Sequence, residues 1–469
     1  RMKQEQAAPV HAKPYNNVLE VIGWTPLIRL NRVVGAARTP VFAKAEFMNP
    51  AGSVKDRIGI AMIEAAEAAG DLEPGGVIVE GTAGNTGLAL AMAAAIKGYR
   101  CIFTMPDKFS QEKIRLMKAF GAEVIITPTA VSADDPDNYL NVARRIVEET
   151  PKAFMADQFF NPANPEAHYR TTGPEIWEQT EGRLTHFVAA AGTGGTITGA
   201  ARYLKERNPA IRVIAGDPRG SIFAHYFETG EVGPHAPYKV EGIGNSFKPG
   251  TLDFDLIDEF HTVDDRDSLN MARRLTREEG LFVGGSSGLI ACVAVEVAQT
   301  VDDPDALVVC ILPSTGERYL SKIYNDEWMR ENRLLIADNL TAELVLQQKP
   351  TGIPPLISVE KATSVRSALQ LMEKHSLSQL PVIEGTACVG VTSEATLMAR
   401  LVEDPELIDD PVEALMEAKL PTVEAGVDLA NVTKQLIAGH SAVLVRRDGV
   451  PTGIITRFDV VQYLTGFRP

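Results

Sequence analysis

Cysteine is scarce in this sequence. Four occur in 469 residues, Cys101, Cys292, Cys310 and Cys388, and no two form a C-x-x-C pair. That scatter argues against a disulfide framework and fits a reducing, cytoplasmic setting, with each thiol acting as a small buried apolar side chain. Basic residues are also in deficit: 46 Lys and Arg stand against 61 Asp and Glu, a formal net charge of −15. A nucleic-acid footprint needs a basic stripe, so no nucleic-acid partner is expected. The eight histidines show no H-E-x-x-H or other ligand spacing, so no metal is expected. The longest apolar run, around Leu88 to Ile96, falls well short of the roughly 20 residues of a membrane span. The opening stretch, Arg1 to Pro14, is polar and has no apolar core of the signal-peptide kind.

What is present is a long, ordinary globular chain, too long for one hydrophobic core. From about Val77 onward, short β-branched runs alternate with helical patterns. Val77-Ile78-Val79 reads as a buried parallel strand, Gly81 to Gly87 as a loop, and Leu88 to Lys97 as a helix. Arg100 to Met105 and Glu123 to Thr127 read as strands around a helix from Gln111 to Phe120. The cycle returns at Phe187 to Ala190, with a glycine-rich loop and a helix through Leu204, then at Arg212 to Ala215 and Leu307 to Leu312. The pattern predicts an α/β fold with a mostly parallel sheet in two lobes, over residues 14–335.

A Pro- and Gly-rich stretch at Pro350 to Pro355 marks a linker, placed at 336–352. Beyond it lies an internal repeat, with copies at about 353–404 and 409–469. The first contains Leu380-Pro381-Val382-Ile383, Gly385 and Gly390-Val391-Thr392. The second contains Ala442-Val443-Leu444-Val445, Gly449 and Gly453-Ile454-Ile455-Thr456. Each copy is too small to bury a core alone, so the two are expected to pack together.

Four segments could carry chemistry. Asn49-Pro50-Ala51-Gly52-Ser53-Val54-Lys55-Asp56-Arg57 sets a lysine just after a Gly-Ser turn, where an amine could meet an aldehyde; taken alone, such a lysine is more often solvated surface. Glu80-Gly81-Thr82-Ala83-Gly84-Asn85-Thr86-Gly87 lies between a strand and a helix, where small residues let backbone N–H groups approach an anion; the plain alternative is an ordinary turn. Ala191-Gly192-Thr193-Gly194-Gly195-Thr196 repeats that arrangement and suits a phosphate, but it is neither a Walker A loop nor G-x-G-x-x-G. Gly284-Gly285-Ser286-Ser287-Gly288 competes with a simple helix cap.

Together, in this order, the four resemble the pyridoxal-phosphate (PLP) enzymes of fold type II, the tryptophan-synthase-β-like group. Within it they are most similar to the cysteine synthase/cystathionine β-synthase family, over about Tyr15 to Asn332. The resemblance implies that Lys55 is the Schiff-base lysine. It implies that Asn85 bonds the pyridoxal 3-oxygen, that Gly192, Thr193, Gly194, Gly195 and Thr196 cradle the phosphate, and that Ser286 faces the pyridine nitrogen. Thr82, Ala83, Thr86 and Gln158 would line the substrate-carboxylate pocket. Ala83 stands where many relatives have serine, and Phe159 where some have tyrosine. No cysteine precedes Cys101, so the cysteine/histidine haem segment of animal forms is missing and no haem is expected; His11 reads as a tail residue.

The C-terminal repeat resembles a tandem CBS-domain (Bateman) module. Thr456-Arg457-Phe458-Asp459 matches the Thr-x-x-Asp pattern with which such modules hold an adenine nucleotide's ribose and phosphates. The first copy, Thr392-Ser393-Glu394-Ala395, lacks the aspartate, and Ser378 stands where an acidic residue helps bind S-adenosylmethionine in animal relatives. A nucleotide sensor and a purely dimerising module are both open readings. The expected activity is β-replacement on PLP: L-serine and L-homocysteine give cystathionine and water, with hydrogen sulfide as a side product from cysteine. The alternative is a cysteine synthase using O-acetylserine and sulfide. A third reading, a nucleotide-sensing scaffold with a decayed catalytic half, conflicts with intact Lys55, Asn85, Thr196 and Ser286. A cytoplasmic homodimer or higher homo-oligomer is expected.

Overall fold

The computed structural model describes residues 14–465, apart from 83, 108–110, 130, 133–134, 336–340, 348 and 350–353. The expectations for the polar N-terminal stretch and His11, for Ala83, and for most of the linker therefore fall outside the described residues. The chain divides into two compact units between Trp328 and Met329. Among the described residues no helix is long and apolar enough to cross a membrane.

In chain order the strands of the first unit are β1 (Leu27–Arg29), β2 (Val41–Lys44), β3 (Val77–Gly81), β4 (Arg100–Pro106), β5 (Glu123–Thr127), β6 (Ala153–Met155), β7 (His186–Ala190), β8 (Arg212–Pro218), β9 (Glu259–Val263) and β10 (Val308–Ile311). They form two sheets. One runs β5-β4-β3-β6, all parallel. The other runs β1-β2-β10-β7-β8-β9, parallel except for the antiparallel edge strand β1. Strands β3, β4 and β10 are buried nearly end to end, as parallel strands covered on both faces should be, and this explains their continuous apolar runs.

The two helices that carry the first two motifs are locked together. Lys55 opens the helix Lys55–Ala69 and Asn85 opens the helix Asn85–Lys97. Four residues into each, Gly59 meets Ala89 so closely that a Cβ on Gly59 would lie 2.8 Å from the Ala89 backbone. Contact at the same level brings both helix starts to the same end. One expectation is corrected here: Asn85, Thr86 and Gly87 form the first helical turn rather than a loop. Thr82 Oγ1 accepts from Gly84 N–H (3.1 Å) and Gly87 N–H (3.3 Å) and so satisfies donors that a helix start leaves open.

The second unit contains β11 (Gln379–Glu384), β12 (Ala387–Ser393), β13 (Thr422–Glu424), β14 (Ala442–Arg447) and β15 (Val450–Thr456). Strands β11 and β12 form a hairpin; β13 lies parallel to β14, which pairs antiparallel with β15. The β14–β15 turn places both Asp448 (φ 51°) and Gly449 (φ 80°) in the left-handed region, as a two-residue turn that follows the strands' twist requires. Ser364 caps the helix Val365–His375 and Asp428 caps Leu429–Ile437, so the copies begin alike. The copies pack together as expected, sharing a core of Val391, Leu420, Ala442 and Leu444. Part of the expected linker is structured: Ala342–Gln347 is a helix whose Ala342 and Val345 are buried in the second copy's core.

Candidate active site

A cavity of about 710 Å³ opens in the first unit where the two sheets' loops converge. Lys55, Thr82, Asn85, Thr86, Gln158, Gly192, Thr193, Gly194, Thr196 and Ser286 all line it. The four motifs thus meet in one place, although more than 230 residues separate Lys55 from Ser286. Gly195 opens the helix behind the loop and does not line the cavity itself.

Lys55 is half-buried rather than solvated. Its Nζ makes no hydrogen bond among the described residues, and burial lowers its pKa to about 8, with Glu46 opposing. A cationic amine so placed loses its preference for charge, which suits a nucleophile or base. Asn85 is oriented by a residue that sequence reasoning missed. Arg318 donates through Nη1 to Asn85 Oδ1 and through Nη2 to the Ala51 carbonyl. The guanidinium cannot accept, so it claims the amide oxygen and leaves the Asn85 Nδ2 donor for the cavity.

The third motif is shaped for an anion. Gly194 takes φ 90° and precedes the helix Gly195–Arg207, whose N-terminal N–H groups and dipole face the loop. His168 stands behind it, fully buried, with Nε2 3.1 Å from Thr196 Oγ1 and Nδ1 2.8 Å from Thr172 Oγ1. Burial, then the charges of Arg57 and Lys55, push its pKa to about 3, so this imidazole is neutral. Ser286 is the second residue of the helix Gly285–Val301, whose cap is Gly284, so its hydroxyl is not spent on capping. It has no partner among the described residues.

Gln158 lines the cavity beside Thr86. Thr86 Oγ1 donates to Gln158 Oε1 at 2.6 Å. Glu80, buried beneath, accepts from Asp157 N–H (2.8 Å) and Gln158 N–H (3.4 Å), and burial lifts its carboxyl to about 8 against those bonds. A charged rim went unread in the sequence: Lys113 and Lys322 both bond Glu241, Lys322 at 2.6 Å, and all three line the cavity. Burial opposes the Glu241 charge, but the two ammonium groups outweigh it and hold this carboxyl below its usual range. Paired glycines at Gly242 and Gly244, both at positive φ, were the available signal for that segment.

In the second unit, Thr456 and Asp459 form a capping pair: Asp459 Oδ2 accepts from Thr456 N–H and O–H (both 2.7 Å), and Thr456 Oγ1 accepts from Asp459 N–H (3.3 Å). Lys349 Nζ lies 3.1 Å from the same carboxylate oxygen. In the first copy the Thr392 hydroxyl is buried without a hydrogen-bond partner among the described residues, and Ser393 caps the next helix instead.

Residues 18–314 match the family described as pyridoxal-phosphate dependent enzyme, and residues 352–403 and 412–466 match the CBS domain. The chain is 38% identical to the cystathionine beta-synthase of Dictyostelium discoideum, over 96% of this chain and 92% of that one. It is likewise 38% identical to the cystathionine beta-synthase of Apis mellifera, over 97% and 92%. Among solved structures it is similar to an O-acetylserine dependent cystathionine beta-synthase from Helicobacter pylori, with a TM-score of 0.61 and 39% identity, over 67% of this chain and all of that one.

Proposed function

Because the chain belongs to the cystathionine β-synthase family of pyridoxal-phosphate-dependent enzymes, we propose that it condenses L-serine with L-homocysteine to give cystathionine and water. The observation that carries this reading is Lys55, an amine without a partner among the described residues and with a lowered pKa, in a cavity that also holds Asn85, the glycine-threonine loop and Ser286. The cofactor is pyridoxal phosphate, and the residues suit it. The loop offers a helix N-terminus and the Thr193 and Thr196 hydroxyls to a phosphate, with no carboxylate among residues 192–196. Asn85 offers a donor to the ring's oxygen, and Ser286 a neutral hydroxyl to its nitrogen.

When bound, the cofactor supplies the electron sink for bond changes at the amino acid's Cα and Cβ. Lys55 would hold its aldehyde and, once released, take the Cα proton at Nζ and hand it to the departing hydroxyl; a pKa near 8 suits both directions of transfer. Thr82, Ala83, Thr86 and Gln158 would hold the substrate carboxylate. Ser286, being uncharged, would face the pyridine nitrogen without holding a proton there, which suits loss of the β-substituent. Cysteine in place of serine would release hydrogen sulfide.

The second unit is read as a regulatory and assembly module in a cytoplasmic homo-oligomer, with Thr456 and Asp459 as contacts for an adenine nucleotide or S-adenosylmethionine. The test of the catalytic reading crosses serine and O-acetylserine with homocysteine and sulfide. Cystathionine from serine and homocysteine is the expected dominant product. Cystathionine from O-acetylserine alone would move this chain towards the Helicobacter pylori enzyme's stated dependence. Cysteine from O-acetylserine and sulfide, without cystathionine, would overturn the proposal.

A further inference from the structure

Asn164 belongs to no motif, yet it is buried between the two halves of the cavity. Its Nδ2 lies 2.7 Å from the Gln158 carbonyl oxygen and 3.0 Å from Thr193 Oγ1. The amide's orientation is not arbitrary. A carbonyl oxygen only accepts, so the atom facing Gln158 must be the nitrogen. Asn164 Oδ1 is then left buried without a partner, against Gly195, where a Cβ would fall 1.9 Å from it. The side chain is committed to donating.

That commitment fixes a second group. Thr193 Oγ1 accepts from Asn164 Nδ2 and also from Gly195 N–H at 3.3 Å. A hydroxyl has two lone pairs and one proton. With both lone pairs occupied, the proton must be given away, and no acceptor for it exists among the described residues. The Thr193 backbone is pinned as well, because Thr251 Oγ1 donates to its carbonyl at 2.5 Å. Thr193 lines the cavity, so the outward direction is into the site.

We infer that Asn164 is a positioning residue: it sets the Thr193 hydroxyl as an obligate donor toward the cofactor phosphate and ties that hydroxyl to the backbone of Gln158 on the substrate side. The inference rests on the reading of residues 192–196 as the phosphate cradle. It makes the amide of Asn164 a strut between cofactor and amino-acid binding. Asn164→Asp keeps the volume but offers an acceptor, drawing the Thr193 proton inward and away from the phosphate.

The experiment is a cycle on the full chain, stripped of cofactor and titrated with PLP by absorbance: N164A, N164D, T193V and N164A/T193V. We expect N164A and T193V each to weaken PLP binding about tenfold, N164D to weaken it more, and the double variant to be no worse than T193V. Serine KM should rise in N164A with kcat nearly kept, because Gln158 loses its tie while the reacting groups remain. Native-like PLP affinity in N164A, or full additivity with T193V, overturns the inference. If T193V itself binds PLP normally, the cradle reading falls instead. Should N164A fail to fold by circular dichroism, the volume-matched N164D carries the test, and unchanged PLP affinity there has the same overturning force.

Discussion

In the first unit Lys44, Glu46, Arg57 and Glu175 are buried with their charges, whereas in the second unit Thr392 is the one buried polar side chain among the described residues. The four charges close on one another. Arg57 reaches Glu46 at 2.7 Å and Glu175 at 2.6 Å, and Lys44 reaches Glu175 at 2.7 Å and the Thr25 carbonyl at 2.6 Å. Burial alone would neutralise such groups; here the cations outweigh it and hold Glu46 near 2. Two positive and two negative charges leave no net charge behind the cavity. The second unit keeps pairs such as Arg366–Asp409 and Arg446–Glu424 on the surface over an aliphatic core, with Lys349–Asp459 partly buried. The difference teaches where the chain accepts the cost of polar burial: around Lys55 and the glycine-threonine loop, and not in the second unit.

The sharpest test of this contrast is Lys55→Ala. It removes the proposed cofactor anchor and the proposed base together, so turnover should fall by roughly a thousandfold or more. Borohydride reduction followed by peptide mapping should put the pyridoxyl label on Lys55; a label on another lysine breaks the assignment.

Next in size is a matched pair of arginine truncations. Arg57→Ala strands the buried Glu46 carboxylate, leaves Glu175 to Lys44 alone, and should cost about 3–5 kcal/mol in denaturant unfolding. Arg366→Ala, at an exposed pair, should cost nothing measurable. Equal effects would erase the distinction between the units.

His168 yields a pH-dependent version. Its folded pKa, near 3, lies below the ordinary value of 6.5. The unfolded chain therefore takes up a proton below pH 6.5 that the folded chain refuses. The stability from the neutral imidazole is complete above pH 6.5 and is lost as pH falls toward 3, at about 1.4 kcal/mol per unit. Between pH 7 and pH 5 the stability advantage over His168→Asn should shrink by about 2 kcal/mol. Carboxyls raised by burial, such as Asp56 near 7, push the other way in both proteins, so only the difference between the two profiles is diagnostic. A pH-independent difference would mean that His168 is not held neutral.

How much of this was visible beforehand follows the same division. Strands β3, β4, β7 and β8 were legible because buried parallel strands are continuous apolar runs, and the edge strand β5 because Val124-Ile125-Ile126 is β-branched although only half-buried; β1 and β6, three residues each, are too short to show a period. The glycine-bearing motifs were legible because glycine reports a backbone demand. Arg318, Asn164, Glu80 and the Lys113–Glu241–Lys322 rim were not, because a lone polar residue looks like surface until the fold closes over it. Arg318 and Asn85 are 233 positions apart, and no local pattern couples them. Thr-x-x-Asp was read as a ligand motif, and its local physics turned out to be that of a capping pair as well.

The second role proposed for that pair, as a ligand contact, sets the smallest effect. One Asp459 oxygen already takes two bonds from Thr456 and the Lys349 ammonium, which leaves the other oxygen for a ribose hydroxyl. Asp459→Ala would remove the ligand contact and the cap together, the cap being worth about 1 kcal/mol. Asp459→Asn keeps an acceptor for Thr456 and loses the charge, so it separates the two. Calorimetry of the full chain with AMP, ATP and S-adenosylmethionine should find binding that Asp459→Asn weakens roughly tenfold, the value of a charge-assisted bond. Lys349→Ala should move affinity the other way, because the ammonium competes for the same carboxylate. An effector can change activity only by binding two states differently, so a regulatory ligand must also shift turnover, whereas binding that leaves turnover unchanged assigns the module no regulatory role. If none of the three ligands binds the native chain, the sensor reading falls, and the apolar core shared by the two copies is left with assembly as its role.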